Sequence, residues 1–384
     1  MERTRDHGST DIAVVGGGIT GLSVAWHLAQ RGAEVVIVER GGLGSGATAI
    51  QPGGLRRQWG SEVNCLLASE AREFYMHLAD RLDVRVDPGF RECGYLFVAH
   101  SRDGEEALAR NVSVQNACGV PSRMVDPREA SDLVPGLDAG SIVAASFCPE
   151  DGYFDRPQAV VAAFVDACRA AGIGVIQAPV ARLDPGDRGW SLDLLDGGTI
   201  EARGVVVAAA WETPALLSPL GVHVPIKKEP RYLFYSDPIQ ERLLEPLVVS
   251  AEWHLAAKQL ADGSVLASDL VAGADPGEDE AIWRARLRDG LQRLLPILDY
   301  VEYPTLVEGF YDLTPDGLAI IGPVADHQGL WLAAGHSGRG FMLAPAIGRA
   351  LSDAIVDSNV DPLIEDLALE RFREAGLTLE SQVV

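Results

Sequence analysis

The sequence predicts an α/β fold in which a Rossmann-like nucleotide-binding domain is interleaved with an α+β domain built on a mixed or antiparallel sheet. One observation is a complete strand, glycine turn, helix and second strand within residues 11–40. Another is that buried-type strands return far along the chain, at residues 205–210 and 330–334. The third is the length of 384 residues, which is too great for one compact core and favours two intertwined domains.

The first unit has the spacing that a dinucleotide requires. Residues 12–15 form an apolar strand, and Gly16, Gly18 and Gly21 then give the GxGxxG spacing before a helix. Gly16 permits the tight turn, Gly18 lets backbone amides approach a pyrophosphate, and Gly21 allows close packing of helix and sheet. The next strand ends at Glu39, whose carboxylate is expected to bind the adenosine ribose and would repel a 2′-phosphate. NAD and FAD are therefore the two candidates.

The remaining elements follow from hydrophobic periodicity and turn residues. In chain order, we predict an amphipathic helix over residues 62–81, a strand of another sheet at 90–98, a helix at 158–171, a strand at 174–177, a hairpin of 190–195 and 199–202, a buried strand at 205–210, a helix at 280–294, a strand at 330–334 and a glycine-led helix that begins near Phe341.

Composition limits the functional classes. With 47% hydrophobic and 23% charged residues the chain is globular, and its net charge of −23 argues against nucleic acid or an anionic membrane as a partner. The five cysteines, at positions 65, 93, 118, 148 and 168, show no metal-binding spacing, so we predict no metal site and reduced thiols. The polar start, MERTRDHGST, does not read as a secretory signal, and no apolar stretch reads as a membrane span. We therefore expect a cytoplasmic protein.

Four separated segments carry a family resemblance. They are residues 11–40 followed by GLGSGAT, VVVAAAW at 205–211, YDLTPDGLAIIGP at 311–323 and AAGHSGRGFMLAPAIGRAL at 333–351, and RFRE at 371–374 is a weaker match. With these segments the chain resembles the FAD-dependent D-amino-acid oxidase superfamily, and within it the branch of glycine and sarcosine oxidases, dimethylglycine oxidase and proline dehydrogenase beta-type subunits. The resemblance implies FAD in place of NAD.

The resemblance also implies a domain division and a set of cofactor residues. Residues 8–84, 142–221 and 312–384 would form the FAD-binding domain, and residues 85–141 and 222–311 the substrate-binding domain. The helix near Phe341 would direct its positive end at the flavin, although a glycine-capped turn before a core helix is the plainer interpretation. The expected cofactor residues are Gly16, Gly18, Ile19, Thr20, Gly21, Glu39, Arg40, Gly44, Ser45, Ala47, Thr48, Val180, Ala209, Trp211, Gly335, His336, Ser337, Gly338, Arg339, Gly340, Phe341 and Met342.

Three positions depart from the family pattern. Ala209 stands at a glycine position and adds a methyl group near the cofactor. Gly309 stands where monomeric sarcosine oxidases have the cysteine that links to flavin, so the resemblance implies non-covalent FAD. Met342 replaces the lysine that follows GHGF in those enzymes, and no segment matches their oxygen-activating lysine. The electron acceptor could therefore be O2, with H2O2 as product, or another protein or quinone.

The predicted substrate is a small amino acid or a secondary or N-methylated amine. By resemblance Arg56 would hold its carboxylate, for which the planar guanidinium fork is well suited, and Tyr311 would orient it. Gln259, His254 and Lys258 are further catalytic candidates on one strand-like segment, although a structural or exposed role is common for such residues. Arg231 could line the same site.

The expected reaction is hydride transfer from the carbon beside nitrogen to flavin N5, giving an imine that hydrolyses. It needs a neutral substrate amine but no strong base, so the lack of a His–Asp pair does not oppose it. Two alternatives stay open: a flavin-dependent 2-hydroxy-acid oxidase or dehydrogenase, which needs a base for the hydroxyl proton, and an FAD or electron-transfer subunit of a larger complex. A dehydrogenase that uses NAD would leave the glycine-led C-terminal segment unexplained.

Overall fold

The computed structural model describes residues 6–358, 360–373, 377 and 379–381. The polar start at residues 1–5 and Glu374 of the RFRE segment lie outside the described residues, as do residues 375, 376, 378 and 382–384 at the end of the predicted FAD-binding domain. No helix in the described ranges is both long enough and apolar enough to cross a membrane.

The strands are numbered in chain order. They are β1 (Asp6–Val15), β2 (Val35–Glu39), β3 (Gly54–Leu55), β4 (Phe90–Arg91), β5 (Tyr95–Ala99), β6 (Arg123–Val125), β7 (Ala144–Cys148), β8 (Gly152–Phe154), β9 (Gly174–Gln177), β10 (Val180–Gly186), β11 (Gly189–Leu194), β12 (Thr199–Val207), β13 (Lys227–Tyr235), β14 (Leu247–Ser250), β15 (Leu255–Gln259), β16 (Val265–Asp269), β17 (Thr305–Leu313), β18 (Ile320–Pro323) and β19 (Leu330–Ala334).

The helices are numbered in the same way. They are α1 (Ile19–Gln30), α2 (Ala47–Ile50), α3 (Glu62–Met76), α4 (Leu78–Leu82), α5 (Arg102–Ala117), α6 (Pro127–Leu133), α7 (Pro157–Ala170), α8 (Thr213–Leu217), α9 (Glu280–Leu294), α10 (Gly340–Asp357) and α11 (Pro362–Glu365).

The first sheet is the Rossmann-like sheet that the sequence predicts. Its strands lie in the order β10, β11, β12, β1, β2, β9, and β12 also pairs in parallel with β19. β1 runs parallel to both β12 and β2, and β2 runs parallel to β9. Helices α1, α3, α7 and α10 cover one face, where apolar side chains such as Leu22, Phe164 and Ile347 are fully buried. Parallel strands are buried on both faces, which explains their continuous apolar runs.

The second sheet confirms the predicted α+β part of the fold. Its order is β17, β13, β16, β15, β14, β5, β7, β6, in which β14 and β5 run parallel and the other neighbours run antiparallel. Helix α9 packs on this sheet through Trp283, Leu287 and Leu291. A small antiparallel sheet of β3, β8 and β4 forms the third sheet.

Two local predictions differ from the structure. Residues 90–98 are predicted as one strand, but β4 and β5 belong to different sheets. The chain turns between them at Gly94, whose φ is +86° and where a Cβ would lie 2.2 Å from the Phe147 ring. Residues 199–202 and 205–210 are predicted as separate strands, but β12 is continuous through both pairings and ends at Val207. The chain then turns, with Ala210 at φ +48°.

The predicted domain division stays a prediction. Strand β7 differs from this division. The predicted boundary at residue 142 assigns β7 to the FAD-binding domain, but β7 pairs with β5 and β6 in the second sheet. The predicted helix at residues 62–81 is also divided, since α3 ends and α4 begins on either side of His77.

Candidate active site

A cavity of about 520 Å³ lies at the carboxyl ends of β1, β2 and β12, which is the edge where open parallel sheets bind ligands. Strands β13 and β17 of the second sheet supply its opposite wall through Arg231, Leu233 and Tyr311. We call it the first cavity. The predicted cofactor residues that line it are Gly16, Gly18, Ile19, Thr20, Gly21, Glu39, Arg40, Ser45, Ala47, Thr48, Val180, Ala209, Trp211, His336, Gly338, Gly340 and Phe341.

The glycine turn between β1 and α1 brings backbone close to the cavity. Gly16 has a φ of +110°, and a Cβ there would lie 2.3 Å from the Ala208 carbonyl oxygen. A Cβ on Gly21 would lie 2.0 Å from the Gly16 carbonyl oxygen. At the start of α1 the Ile19 amide donates to Thr48 Oγ1 at 3.0 Å. The first turn of α1 thus faces the cavity with backbone amides, an arrangement that suits a pyrophosphate.

Glu39 is held at the end of β2 by two backbone amides. Its Oε2 accepts from the Gly17 amide at 2.6 Å, and its Oε1 accepts from the Gly41 amide at 2.7 Å. Each carboxylate oxygen keeps capacity for a further donor, so a ribose hydroxyl could bind there. Arg40 points away to form an ion pair with Glu212 at the rim of the same cavity.

Three buried polar atoms on the wall of the first cavity lack partners within the described residues. They are Nε2 of Gln51, Oδ2 of Asp312 and Nδ1 of His336. Burial lowers the pKa of His336, which favours a neutral ring. Buried polar groups are normally hydrogen-bonded, so this wall suits a ligand with donors and acceptors.

The neighbouring turn before α10 is shaped by close contact with Tyr311. Gly338 has a φ of +87°, and a Cβ there would lie 2.5 Å from Cζ of Tyr311. Gly340 begins α10, and it lines the first cavity together with Phe341. The first cavity is thus lined by the glycine turn before α1, by unpaired polar atoms and by the start of α10. These three features together fit FAD.

Five predicted cofactor residues do not line the first cavity. Gly44, Gly335 and Ser337 line neither this cavity nor the second one described below. They belong to loops next to the first cavity. Gly335 has a φ of +66°, and Ser337 Oγ accepts from the Thr314 amide at 3.2 Å. Arg339 and Met342 instead line a second cavity.

The second cavity has a volume of about 110 Å³ and adjoins the first. The residues that line both are Gln51, Pro52, Leu233, Tyr311, Gly338 and Phe341. Strands β14, β15 and β16 supply an apolar wall through Leu247, Val249 and Leu266, while Arg56, Arg339 and Lys258 are the cationic residues that line it. A small cavity with apolar walls and a few polar groups beside a cofactor cavity is typical of a substrate site.

Arg56 is buried and held between aromatic rings. The residue is 3% exposed. Its Cζ lies 3.6 Å from the Trp59 ring centroid and 4.9 Å from the Phe97 ring centroid. Nη1 donates to the Gln58 carbonyl oxygen at 2.6 Å. Burial lowers the pKa of the guanidinium from its usual value. The structure thus places Arg56 at the second cavity, and its role in binding a carboxylate stays a prediction.

Arg339 is the second buried guanidinium at this cavity. Its Cζ lies 4.9 Å from the same Trp59 ring, and Nη1 donates to the Gly317 carbonyl oxygen. Nε and Nη2 have no partner within the described residues. Burial, with the nearby charge of Arg56 as a smaller cause, lowers the pKa of Arg339 to about 10. Two buried donors without partners, on a residue that lines the cavity, are suited to an anionic ligand.

The other predicted catalytic residues divide into two groups. Tyr311 lines both cavities, with the guanidinium of Arg231 4.9 Å from its ring, and Lys258 lines the second. His254 and Gln259 line neither cavity. His254 is exposed in the turn before β15, with a φ of +54°.

The Gln259 amide makes four backbone hydrogen bonds that join β15 to neighbouring loops. Oε1 accepts from the amides of Leu243 and Leu244, and Nε2 donates to the carbonyl oxygens of Glu241 and Gly263. A side chain with these partners has a structural role, and we do not assign it to the reaction.

Sequence reasoning missed several residues at the site. Gln51 and Pro52 line both cavities. The Trp59 ring contacts the guanidiniums of Arg56 and Arg339. Gln51, Pro52 and Trp59 all lie between residues 41 and 60, a segment rich in glycine. The QP pair after α2 and the tryptophan three residues after Arg56 are the signals that could have extended the predicted site.

Comparisons with known proteins agree with this arrangement. A family model described as "FAD dependent oxidoreductase" (DAO) matches residues 11–354. Glycine oxidase from Geobacillus kaustophilus is 28% identical, covering 90% of this chain and 92% of its own. The sarcosine oxidase beta subunit from Rhodobacter capsulatus is 25% identical, with coverages of 97% and 90%. The crystal structure of L-proline dehydrogenase from P. horikoshii superposes with a TM-score of 0.88 at 26% identity, covering 96% of this chain and 99% of that one.

Proposed function

This chain belongs to the family of FAD-dependent oxidoreductases, and we propose that it oxidises the carbon–nitrogen bond of a small amine that carries a carboxylate. The substrate class is a small amino acid or a secondary or N-methylated amino acid. It is thus an FAD-dependent oxidoreductase of the amino-acid oxidase and dehydrogenase type.

The observation that carries the proposal is the pair of buried guanidiniums beside the cofactor cavity. Arg56 and Arg339 lie against the same indole of Trp59, and both line the second cavity. Burying two like charges side by side is costly, and the charge of Glu380 offsets part of that cost at both residues. A substrate carboxylate would stabilise the pair further. A carboxylate offers two oxygens and up to four acceptor sites, which matches the unpaired Nε and Nη2 of Arg339, and the positive charge of Arg56 lies beside them.

The residues at the junction of the cavities would then orient the substrate. With its carboxylate on the guanidiniums, the amine and the adjacent carbon extend toward Tyr311, which lines both cavities. The apolar wall of Leu247, Val249 and Leu266 excludes water and leaves room for a small substituent only. Bound FAD would supply the two-electron acceptor for the hydride. The chain contributes binding and orientation, which account for a large part of catalysis in such reactions.

The relatives' names support the choice of substrate class. Glycine oxidase, sarcosine oxidase beta subunit and L-proline dehydrogenase are each named for a small amine that carries a carboxylate. The names include both oxidases and a dehydrogenase. We leave the acceptor as O2 or an electron-acceptor protein or quinone.

FAD is proposed to bind non-covalently. Gly309 lines the first cavity at the position where a cysteine would make the link, and a Cβ there would only touch Ile50. The five cysteines are all described, and none lines either cavity. Denaturation of the purified protein should therefore release the flavin into the supernatant.

The deciding experiment is an anaerobic visible spectrum before and after adding candidate substrates. We expect the flavin band to bleach with one or more of glycine, sarcosine, dimethylglycine, proline or another small amino acid. Matched amines without a carboxylate, such as dimethylamine and pyrrolidine, should leave it unchanged. Bleaching by glycolate or lactate alone would contradict the proposal in favour of a hydroxy-acid reaction, and bleaching only after a partner protein is added would favour an electron-transfer subunit.

A further inference from the structure

We propose that Lys258 is the proton acceptor that converts the bound substrate ammonium to the neutral amine before its carbon–nitrogen bond is oxidised. The inference rests on the proposed function and assigns one step of it to this chain. An amino acid in water near neutral pH carries a protonated amine, which has no lone pair to drive hydride loss. A neutral group at the second cavity would give this proton an acceptor inside the site, where the amine must lose it before the hydride can leave.

Lys258 lies at the second cavity and reaches a residue of the junction with the first. It belongs to β15, is 1% exposed and lines the second cavity. Its Nζ donates to the carbonyl oxygen of Pro52, a residue that lines both cavities. A substrate whose carboxylate rests on the guanidiniums, and whose reacting carbon faces the cofactor, therefore has its nitrogen in the region that this amine reaches.

The surroundings of Lys258 favour a neutral amine. Its hydrogen bond is to a neutral carbonyl, and the Tyr153 ring lies 4.2 Å from Nζ. Asp155 and the Cys93 thiol are the titratable groups that act on it, and both oppose the effect of burial. Burial is the larger cause and lowers the pKa of Lys258 to about 7. Near neutral pH a large fraction of the side chain is therefore free to accept a proton.

The choice of residue supports a proton-transfer role. Only three of the 32 basic residues are lysines, at positions 227, 228 and 258, and Lys258 is the one that lines the second cavity. Arginine stays protonated in proteins, whereas a buried lysine can lose its proton. The two arginines at the cavity thus suit a fixed anion, and the lysine suits a group whose charge changes during the reaction.

The proposed reaction moves one proton and then one hydride. One proton moves from the substrate ammonium to Nζ of Lys258, giving a neutral amine and a charged lysine. Bound FAD would accept the hydride with its electron pair from the carbon, and the substrate would become an iminium ion. Water would hydrolyse this ion to a carbonyl compound and a protonated amine or an ammonium ion. Lys258 returns its proton to solvent before the next turnover.

The test is the pH dependence of anaerobic flavin reduction by a saturating substrate in rapid mixing. In the wild-type protein we expect the limiting rate to rise with pH through the ionisation of Lys258 and then level off. The Lys258→Met variant should lose this ionisation and reduce its flavin about 10²-fold more slowly at pH 7, the usual scale for a lost acid–base group. It should recover as pH rises toward the pKa of the substrate amine.

Two further variants separate proton acceptance from charge and from structure. Lys258→Arg keeps a buried cation that cannot accept a proton, so it should be as slow as Lys258→Met at pH 7. Lys227→Met removes an exposed lysine that pairs with Glu229 and should behave as the wild-type protein. FAD content and Tm are measured for each variant, so that misfolding is not mistaken for a slow reaction.

Each contrary outcome has a distinct meaning. An unchanged rate and pH profile in Lys258→Met, or full activity in Lys258→Arg, would overturn the proposal. So would a defect confined to the reaction of reduced protein with O2, because it would place the lysine on the oxidative side. If no amine bleaches the wild-type flavin, the proposed function itself fails, and this result is seen before any variant is made.

Discussion

The two adjoining cavities are built by different means. The first includes a glycine turn where backbone approaches closely, at Gly16 against the Ala208 carbonyl and at Gly21 against the Gly16 carbonyl. The second is lined by side chains from loops and from strands of the second sheet, and its charges are buried guanidiniums and a buried amine. Backbone approach has a short-range sequence signature, whereas converging side chains have none.

This difference predicts how each cavity responds to substitution. A cavity made by backbone contact fails when a Cβ is added, whatever the chemistry of the new residue. A cavity made by charged side chains loses ligand affinity when a charge is removed, but the protein gains back the cost of burying that charge. Four substitutions or measurements test this contrast, and the expected change in binding, kinetics or stability becomes smaller from the first to the last.

The largest effect is expected from Gly21→Ala. The new Cβ would lie 2.0 Å from the Gly16 carbonyl oxygen, and neither backbone can move without opening the turn. We expect a cost of about 3 kcal/mol or more, which corresponds to FAD binding weakened about 100-fold or more. The measurement is FAD titration of the apoprotein.

Gly42→Ala is the matched control, because a Cβ there meets nothing within 4 Å in the same nucleotide-binding region. It should bind FAD as the wild-type protein does. Equal FAD affinity for Gly21→Ala and the wild type would show that the first cavity does not depend on backbone approach.

The second prediction concerns Arg339→Met. Loss of a charge-assisted partner of the substrate carboxylate should raise KM about 30-fold, about 2 kcal/mol, while FAD content stays unchanged. Tm should be unchanged or higher, because a guanidinium with two unpaired buried donors is removed. Steady-state kinetics and a thermal melt measure both effects.

Arg288→Met, at an exposed arginine on α9, is the control for loss of a surface charge. A fall in FAD content with an unchanged KM would return Arg339 to the cofactor-binding residues, where the family resemblance placed it.

The third prediction is a smaller effect at the junction. Tyr311→Phe keeps the ring that packs against Gly338 and removes only the hydroxyl. We expect kcat/KM to fall about fivefold, about 1 kcal/mol, if the hydroxyl orients the substrate. Tyr303→Phe, at a buried tyrosine of the second sheet's core, is the control. Equal kcat/KM for Tyr311→Phe and the wild type would leave the residue a packing role.

The fourth prediction concerns stability and pH. Because the pKa of Lys258 is lowered in the folded state, the unfolded chain binds a proton that the native protein does not between about pH 7 and the ordinary lysine value. The free energy of unfolding should therefore rise with pH across this window, and the gain is lost as pH falls to 7. Lys258→Met should lack this rise. The Tm of the wild type minus the Tm of the variant should therefore increase by a few degrees from pH 7 to pH 9. Parallel Tm profiles would show that Lys258 has the same pKa in both states.

The sequence alone determined much of the first cavity. The GxGxxG spacing, Glu39 and the GHSGRGF segment each report a local backbone requirement, and 17 predicted residues do line that cavity. The class of both sheets could also be read, because strand periodicity is local. Strand partners such as β7, and the turn at Gly94 that divides residues 90–98, could not, because they depend on contacts distant in sequence.

The second cavity could be identified only from the folded protein. It moved Arg339 from the cofactor to the neighbourhood of Arg56 and Trp59, satisfied Gln259 with four backbone partners, and left His254 exposed. Lys258 and Gln259 are adjacent on one strand, yet one side chain lines the cavity and the other joins loops, since neighbouring strand residues point to opposite faces. Which face meets a cavity depends on what packs against the sheet, and that is a property of the whole fold.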